Sequence, residues 1–387
     1  MAEPRAEVVG SLLRGDAVLR AVRRGSLADQ AVINDAVRDA IRLQEESGLD
    51  VITDGEARRL GWVDTPRLLD CFGIFEGRGA LNWRGGVPVP AGDDADPGGT
   101  GPGGIGRAGG GYPTVVRRVA TAHRNGDMID GYDFLARHAR TRTKFTMPAP
   151  SYHRRYWSQE HSLAAYDSAE EYLTEVRDWL REHVDRLLAL GCDYIQLDAP
   201  NYGSLCDPDT RARMAADGRD PQAELAFDVA LDNSLFDGLT EITTALHICR
   251  GNGPRGMWHS AGGYAAISGA MFPRLNFSRL LLEYDSDRAG DFAPLKDVRD
   301  GTTVVLGLLT TKTDDLDDED AVLARISEAT RLKPLEELAL STQCGFASAP
   351  PANPVSPAGQ RAKLEMVSRV ARRVWEAPGR GGDAAIR

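Results

Sequence analysis

The chain has 387 residues, 42% of them hydrophobic, enough to bury one large core or two ordinary ones. A formal net charge of −11 argues against a nucleic-acid binder, which needs a basic stripe to meet phosphates. No apolar run approaches the ~20 residues that cross a bilayer, the N-terminal segment lacks a secretory pattern, and five cysteines make no disulfide framework in a chain this long. A reducing, cytoplasmic setting is therefore expected.

In chain order, the first β-type run is "EVVGSLL". A helical pattern follows, starting after Ser26 and stopping at Gly48, and then the run "LDVITDGE". Residues 85–111 are rich in Gly, Pro and Asp and cannot bury enough apolar surface to offset their chain entropy. They are expected to form a flexible insertion on a βα loop. The glycine spacing of "GPGGIGRAGGG" fails as a dinucleotide fingerprint, because no β-run precedes it and no helix opens within it. "KFTMPAP" is the third run. A helix opening at Ser168, with Glu170 and Glu171 in its first turn, runs to Gly191. "DYIQLDAP", "TALHICRG", "RLLLEYDS" and "TTVVLGLLTTK" come next. An acid-to-basic helix before Pro334 and the run "LALSTQCGF" complete the order. Eight strands alternating with helices predict a single-domain α/β fold, a (β/α)8 TIM barrel spanning 1–387.

Side chains at i and i+2 of a strand share a face, so His247 and Cys249 point to one place. The C-terminal ends of all barrel strands meet at one mouth. Glu283 and Cys344 end later runs and would join them there. One nitrogen, two sulfurs and a carboxylate suit tetrahedral Zn2+. Such an ion turns a substrate thiol into a thiolate nucleophile, and Glu283, the hard oxygen among softer donors, is the ligand expected to give way. Gly10 and Ser11, Asp54 and Glu56, and Asp198 stand at three further strand ends. Each fits a cap or turn, but carboxylates gathered at one mouth repel unless a cation sits among them. A substrate ammonium held by Glu56 and Asp198 is one such cation. Ser151, Tyr152, Tyr156 and Trp157 follow the third strand, either packing beneath a loop or forming a stacking platform. His153, His161 and His259 are expected at the surface.

The segments "VVGS", "VITDGEARR", "YIQLDAP", "HICRGN", "LLLEYDSDRAGDF", "VVLGLLTTKT" and "LSTQCGFAS" together resemble the cobalamin-independent methionine synthase family. The closer resemblance is to its short single-barrel branch, which also includes epoxyalkane:coenzyme M transferase. The resemblance implies methyl transfer from a methyl-folate or similar donor to homocysteine. It implies zinc on His247, Cys249, Glu283 and Cys344, and homocysteine's amino and carboxylate groups on Glu56, Asp198, Ser11 and the backbone near Gly10. It places Trp157 near the donor pocket. Two departures stand out. Ala199 replaces a glutamate of the long enzymes, and Thr310, Thr311 and Lys312 stand where those enzymes have a proton-handling histidine, making Lys312 the catalytic candidate there. Alkylation of another thiol, or by another electrophile, and a purely structural zinc site are the competing expectations. The oligomeric state is left open, a homo-oligomer included.

Overall fold

The computed structural model describes residues 3–26, 29–75, 83–86, 112–120, 129 and 131–376. Strands β1 (Ala6–Glu7), β2 (Val51–Ile52), β3 (in two pieces, Arg142–Thr143 and Phe145–Pro148), β4 (Tyr194–Asp198), β5 (Thr243–Ile248), β6 (Arg279–Glu283), β7 (Thr303–Leu309) and β8 (Leu338–Thr342) form one sheet. All their pairings are parallel. The first piece of β3 pairs with β2 and the second with β4. The sheet therefore closes on itself at Lys144, whose N–H donates to the Ile52 carbonyl at 2.9 Å. All eight expected β-runs are present, and the predicted barrel is the observed one. The insertion expected at 85–111 lies, from residue 87 on, outside the described residues. An antiparallel pair, Phe72–Phe75 with Tyr112–Val115, stands between β2 and β3.

The helices follow from local sequence. Ser168 caps Ala169–Ala189, its hydroxyl accepting from the Glu171 N–H at 3.2 Å. That helix buries Tyr172, Val176, Leu180 and Leu187, one stripe at helical spacing. Asp318 caps Glu319–Ala329 in the same way. The first predicted long helix is Asp29–Glu46, ending before Gly48 at φ 77°. Among the described residues no helix is long and apolar enough to cross a membrane.

The barrel interior is layered. At its lower end Glu7 meets Lys144 (2.6 Å), Arg279 (2.9 Å) and the Tyr194 hydroxyl (2.9 Å), all buried and drawn from four strands. Above them Val9, Val51, Ala245, Leu281, Val305 and Ala339 pack together. Two residues further along three of the same strands stand Ser11, His247 and Glu283. The alternation that points Leu281 inward also points Glu283 into the mouth.

Candidate functional site at the barrel mouth

His247, Cys249 and Cys344 come together at the C-terminal ends of β5 and β8, all buried, their ligand atoms within 4.8 Å of one another. His247 Nδ1 faces the Leu281 carbonyl at 3.2 Å, which places the proton on that nitrogen. Nε2 is left as a buried lone pair with no hydrogen-bond partner among the described residues. An imidazole held by a backbone carbonyl, with its other nitrogen bare and aimed at two thiols, is the donor arrangement of a thiolate-rich metal site. The residues present fit a zinc ion.

Glu283 stands apart from this trio. Its carboxylate accepts from the Arg250 N–H (2.7 Å), Arg288 (2.6 Å) and Gln343 (3.5 Å). Burial would raise its pKa, but Lys312, Arg288 and Arg250 outweigh burial and hold it at about 2. Arg250, conspicuous in the sequence beside Cys249, is a structural clasp. Its guanidinium bonds the carbonyls of Gly262, Glu283 and Ala289 and lies over the Tyr264 ring at 4.1 Å. Lys312 lies behind the cavity wall, its ammonium bonded to the Gly251 carbonyl (3.3 Å) and Asn252 (3.2 Å). Asn252, which carried no sequence signal, bonds the Gly345 carbonyl and Ser348 and so ties the Cys249 loop to the Cys344 loop.

Glu56 reaches the same cavity from β2 through a strained turn, with Gly55 at φ 67° and Glu56 itself at φ 54°. Asp54 builds that turn by accepting from the Glu56 N–H at 2.8 Å, and it does not line the cavity. Thr146 donates to one Glu56 carboxylate oxygen at 2.9 Å, while the other is buried with no partner among the described residues. Gly10 is needed here, since a Cβ on it would stand 2.5 Å from that carboxylate. Asp198 lines the cavity too, with Gln196 donating to it at 2.8 Å. Burial, with the Glu56 charge adding to it, pushes Asp198 up to about 7 against the pull of His247. Burial also raises Glu56. Two carboxylates that resist ionisation in one enclosed space gain most from a cationic guest. Ser11 sits beside them, its hydroxyl accepting from the Ala347 N–H at 3.3 Å.

The cavity has a volume of about 1060 Å³. Trp62, Trp83, Tyr112, Tyr152 and Trp157 line it along with the trio. Trp157 packs on Tyr172, with ring centres 6.4 Å apart, and lines the cavity, whereas Tyr156 does not line it. Ser151 lines the wall, but its hydroxyl is committed to Asp232 at 2.6 Å. Of the loop histidines, His153 is buried between the Ala149 carbonyl and Thr65, against the expectation of a surface position, because loop packing is invisible to a local pattern. His161, stacked on Phe75, and His259, which lines the cavity beside Gly251, are half-buried.

Sequence missed Gly203, where a Cβ would fall 1.9 Å from the Cys249 carbonyl oxygen, and Arg155, which projects among three tyrosines. The five cysteines are all unpaired.

A closed parallel barrel with a His-Cys-Cys trio at its mouth defines a single-barrel protein of the cobalamin-independent methionine synthase type. No family model matches the chain. It is 32% identical over 385 residues to the uncharacterized protein YxjH of Bacillus subtilis, covering 96% of this chain and 94% of YxjH. With YxjG of the same organism it shares 30% identity over 396 residues, 96% and 95% of the two chains. Its fold matches the "Putative Vitamin-B12 Independent Methionine Synthase" of Listeria monocytogenes, with a TM-score of 0.67 and 25% identity over 97% of this chain and 99% of that one. It also matches a B12-independent methionine synthase from Shewanella sp. W3-18-1, determined with selenomethionine, with a TM-score of 0.68 and 21% identity over 97% and 98%. The chain belongs to the family of YxjH and YxjG, in the short single-barrel branch of the cobalamin-independent methionine synthases.

Proposed function

We propose that the chain is a zinc-dependent S-methyltransferase that moves a methyl group from a methyl-folate or similar donor to homocysteine, giving methionine. One juxtaposition carries the proposal: the His247, Cys249 and Cys344 trio shares a cavity with Glu56 and Asp198, two buried carboxylates short of a cation. A thiol-activating centre beside an ammonium site fits an amino acid with a thiol side chain. A zinc ion on the trio would supply the Lewis acidity that keeps a bound thiol deprotonated near neutral pH.

The chain's own residues do the rest. Glu56 and Asp198 hold the ammonium group, and Ser11 with the backbone at Gly10 holds the carboxylate, fixing the sulfur toward the trio. The His247 Nδ1–H bond to Leu281 keeps Nε2 unprotonated. Glu283 would be the fourth ligand of a zinc ion held by the trio, and its bond to Arg288 would give that carboxylate a charged partner when it is not on the metal. Lys312 acts through Asn252 and the field on Glu283 and does not touch substrate. The aromatic walls exclude water from the attacking sulfur and flank the donor. The free thiols suit a reducing cytoplasm.

The test is zinc-edge X-ray absorption with and without homocysteine, paired with a methionine assay across several methyl donors. The sulfur count is expected to rise by one over that of the two cysteines when homocysteine is added. An unchanged count removes the thiol-activating role. A rise without methionine from any donor, but with alkylation of another thiol, selects a different alkyltransferase.

A further inference from the structure

Among the described residues, four arginines line the cavity. Arg154 is neutralised by Asp228 and Glu170, and Arg219 by Glu224. Arg213 turns outward to the Thr210 hydroxyl. Arg155 differs. Its Nε and Nη1 donate to the hydroxyls of Tyr112 and Tyr152, and its guanidinium lies 5.2, 5.0 and 5.8 Å from the ring centres of Tyr112, Tyr152 and Tyr156. Among the described residues no carboxylate pairs with it, and its Nη2 carries no hydrogen bond. Phenols satisfy donors but supply no countercharge, and Arg155 is half-buried at the cavity wall, where an anion in the cavity can reach it. Because the Tyr152 oxygen accepts from Arg155, its own proton has to point elsewhere. Among the described residues it finds no acceptor, and it is polarised by the guanidinium behind it.

This cation is linked to the Cys344 side of the cavity through Tyr152, Trp62 and Ser348. Cys344 Sγ lies 3.7 Å from Ser348 Oγ. The Ser348 carbonyl accepts from the Trp62 N–H at 3.0 Å, and the Trp62 ring packs on Tyr152 with centres 4.6 Å apart. The cavity thus offers a thiol centre, then a flat apolar wall, then a guanidinium with a phenolic donor. We propose that Arg155, with the Tyr152 hydroxyl, anchors an anionic group, a carboxylate or a phosphate, on the second substrate, the alkyl donor. The proposal rests on the cavity taking a donor beside the thiol. It makes that donor a molecule with a flat body and a negative end, and it separates the donor's anion from the carboxylate of the amino acid, which is held at Ser11.

Calorimetric titration of the zinc-loaded protein tests it. The probes are benzoate (a flat carboxylate), phenyl phosphate (a flat phosphate ester) and benzamide (their neutral counterpart), each with and without saturating homocysteine. At least one anion is expected to bind at least tenfold more tightly than benzamide, and which one binds identifies the donor's anionic group. Arg155→Gln is expected to lose tenfold or more in that affinity, with homocysteine affinity and melting temperature unchanged. Arg155→Lys, which keeps the charge, is expected to stay within about fivefold of wild type, as a purely structural clip would not require. Equal binding of benzamide and the anions, no anion binding to wild type, or anion binding unchanged in Arg155→Gln overturns the proposal. So does loss of homocysteine affinity in Arg155→Gln, which would put the amino acid's own carboxylate on Arg155. If Arg155→Gln does not fold, the folded Arg155→Lys variant decides, and loss of anion binding there counts against the site. Homocysteine failing to bind wild type while the anions still bind would sink the methyltransferase proposal and leave the anion site standing.

Discussion

Replacing Gly203 by alanine should dismantle the thiol centre without touching any of its ligands. Gly203 lies in the helix Pro200–Cys206, pressed against the end of β5. An added Cβ would stand 1.9 Å from the Cys249 carbonyl oxygen and 2.9 Å from its carbon, more than 1 Å inside the closest approach real Cβ atoms make. Both obstructing atoms are backbone, so no side-chain rotation relieves the overlap, and the helix or the Cys249 backbone has to move by about 1 Å. Overpacking of this kind costs about 1–3 kcal/mol of stability. Metal–ligand distances tolerate only about 0.2 Å, and disturbing the supports of a metal site costs roughly 10–100-fold in affinity. Gly203→Ala should therefore lose zinc affinity by about that factor in chelator competition and lower the melting temperature. The control is Gly269→Ala, an exposed helical position with nothing within 4 Å of the new Cβ. It should melt at or slightly above the wild-type temperature. A Gly203→Ala protein that holds zinc within threefold of wild type and melts normally would refute the claim that this contact sets the Cys249 thiolate.

Glu56→Gln neutralises a cavity-lining carboxylate, one oxygen of which is buried with no partner among the described residues. Charge-assisted hydrogen bonds are worth about 1.5–3 kcal/mol, so homocysteine should bind roughly 10–150-fold more weakly, while a thiol lacking an ammonium group should be nearly unaffected. Equal losses for both thiols would remove Glu56 from the ammonium site. At the lower end of the barrel, Glu7 is buried, yet Lys144 and Arg279 hold it down at about 2, below its unfolded value. A depressed carboxylate stabilises fully above its unfolded pKa of about 4.3, and that contribution fades as pH falls toward 2. Glu7→Gln should cost about 3–5 kcal/mol near pH 6, because it strands the buried Lys144 and leaves Arg279 with Glu3 alone. Urea unfolding should show the gap to wild type narrowing between pH 4.5 and 2, and a constant gap would exclude the linkage.

Much of the fold was legible along the chain. Periods of two and of roughly 3.6 residues, with a cap at Ser168, are set by interactions within a few residues, so all eight β-runs and the helices Asp29–Glu46, Ala169–Ala189 and Glu319–Ala329 could be read from composition and spacing, while Pro221–Ser234 and Pro357–Trp375 were not picked out. The same alternation put His247 and Cys249 on one face, and the shared polarity of parallel strands brought Cys344 and Glu56 to the same mouth. What the chain could not disclose are choices among competing partners, some within one loop and others tens of residues away. Glu283 is drawn to Arg288 and Arg250, Asp54 turns back to shape a loop, and Lys312 lies behind the wall. His153 is buried, and a glycine in one helix makes room for a carbonyl on another strand. The contacts of Glu283 with Arg250, of Lys312 with Gly251 and of Gly203 with Cys249 are decided by sterics and charge between segments that meet only in the folded barrel, so local pattern located the strand ends and tertiary packing selected which of their side chains face one another.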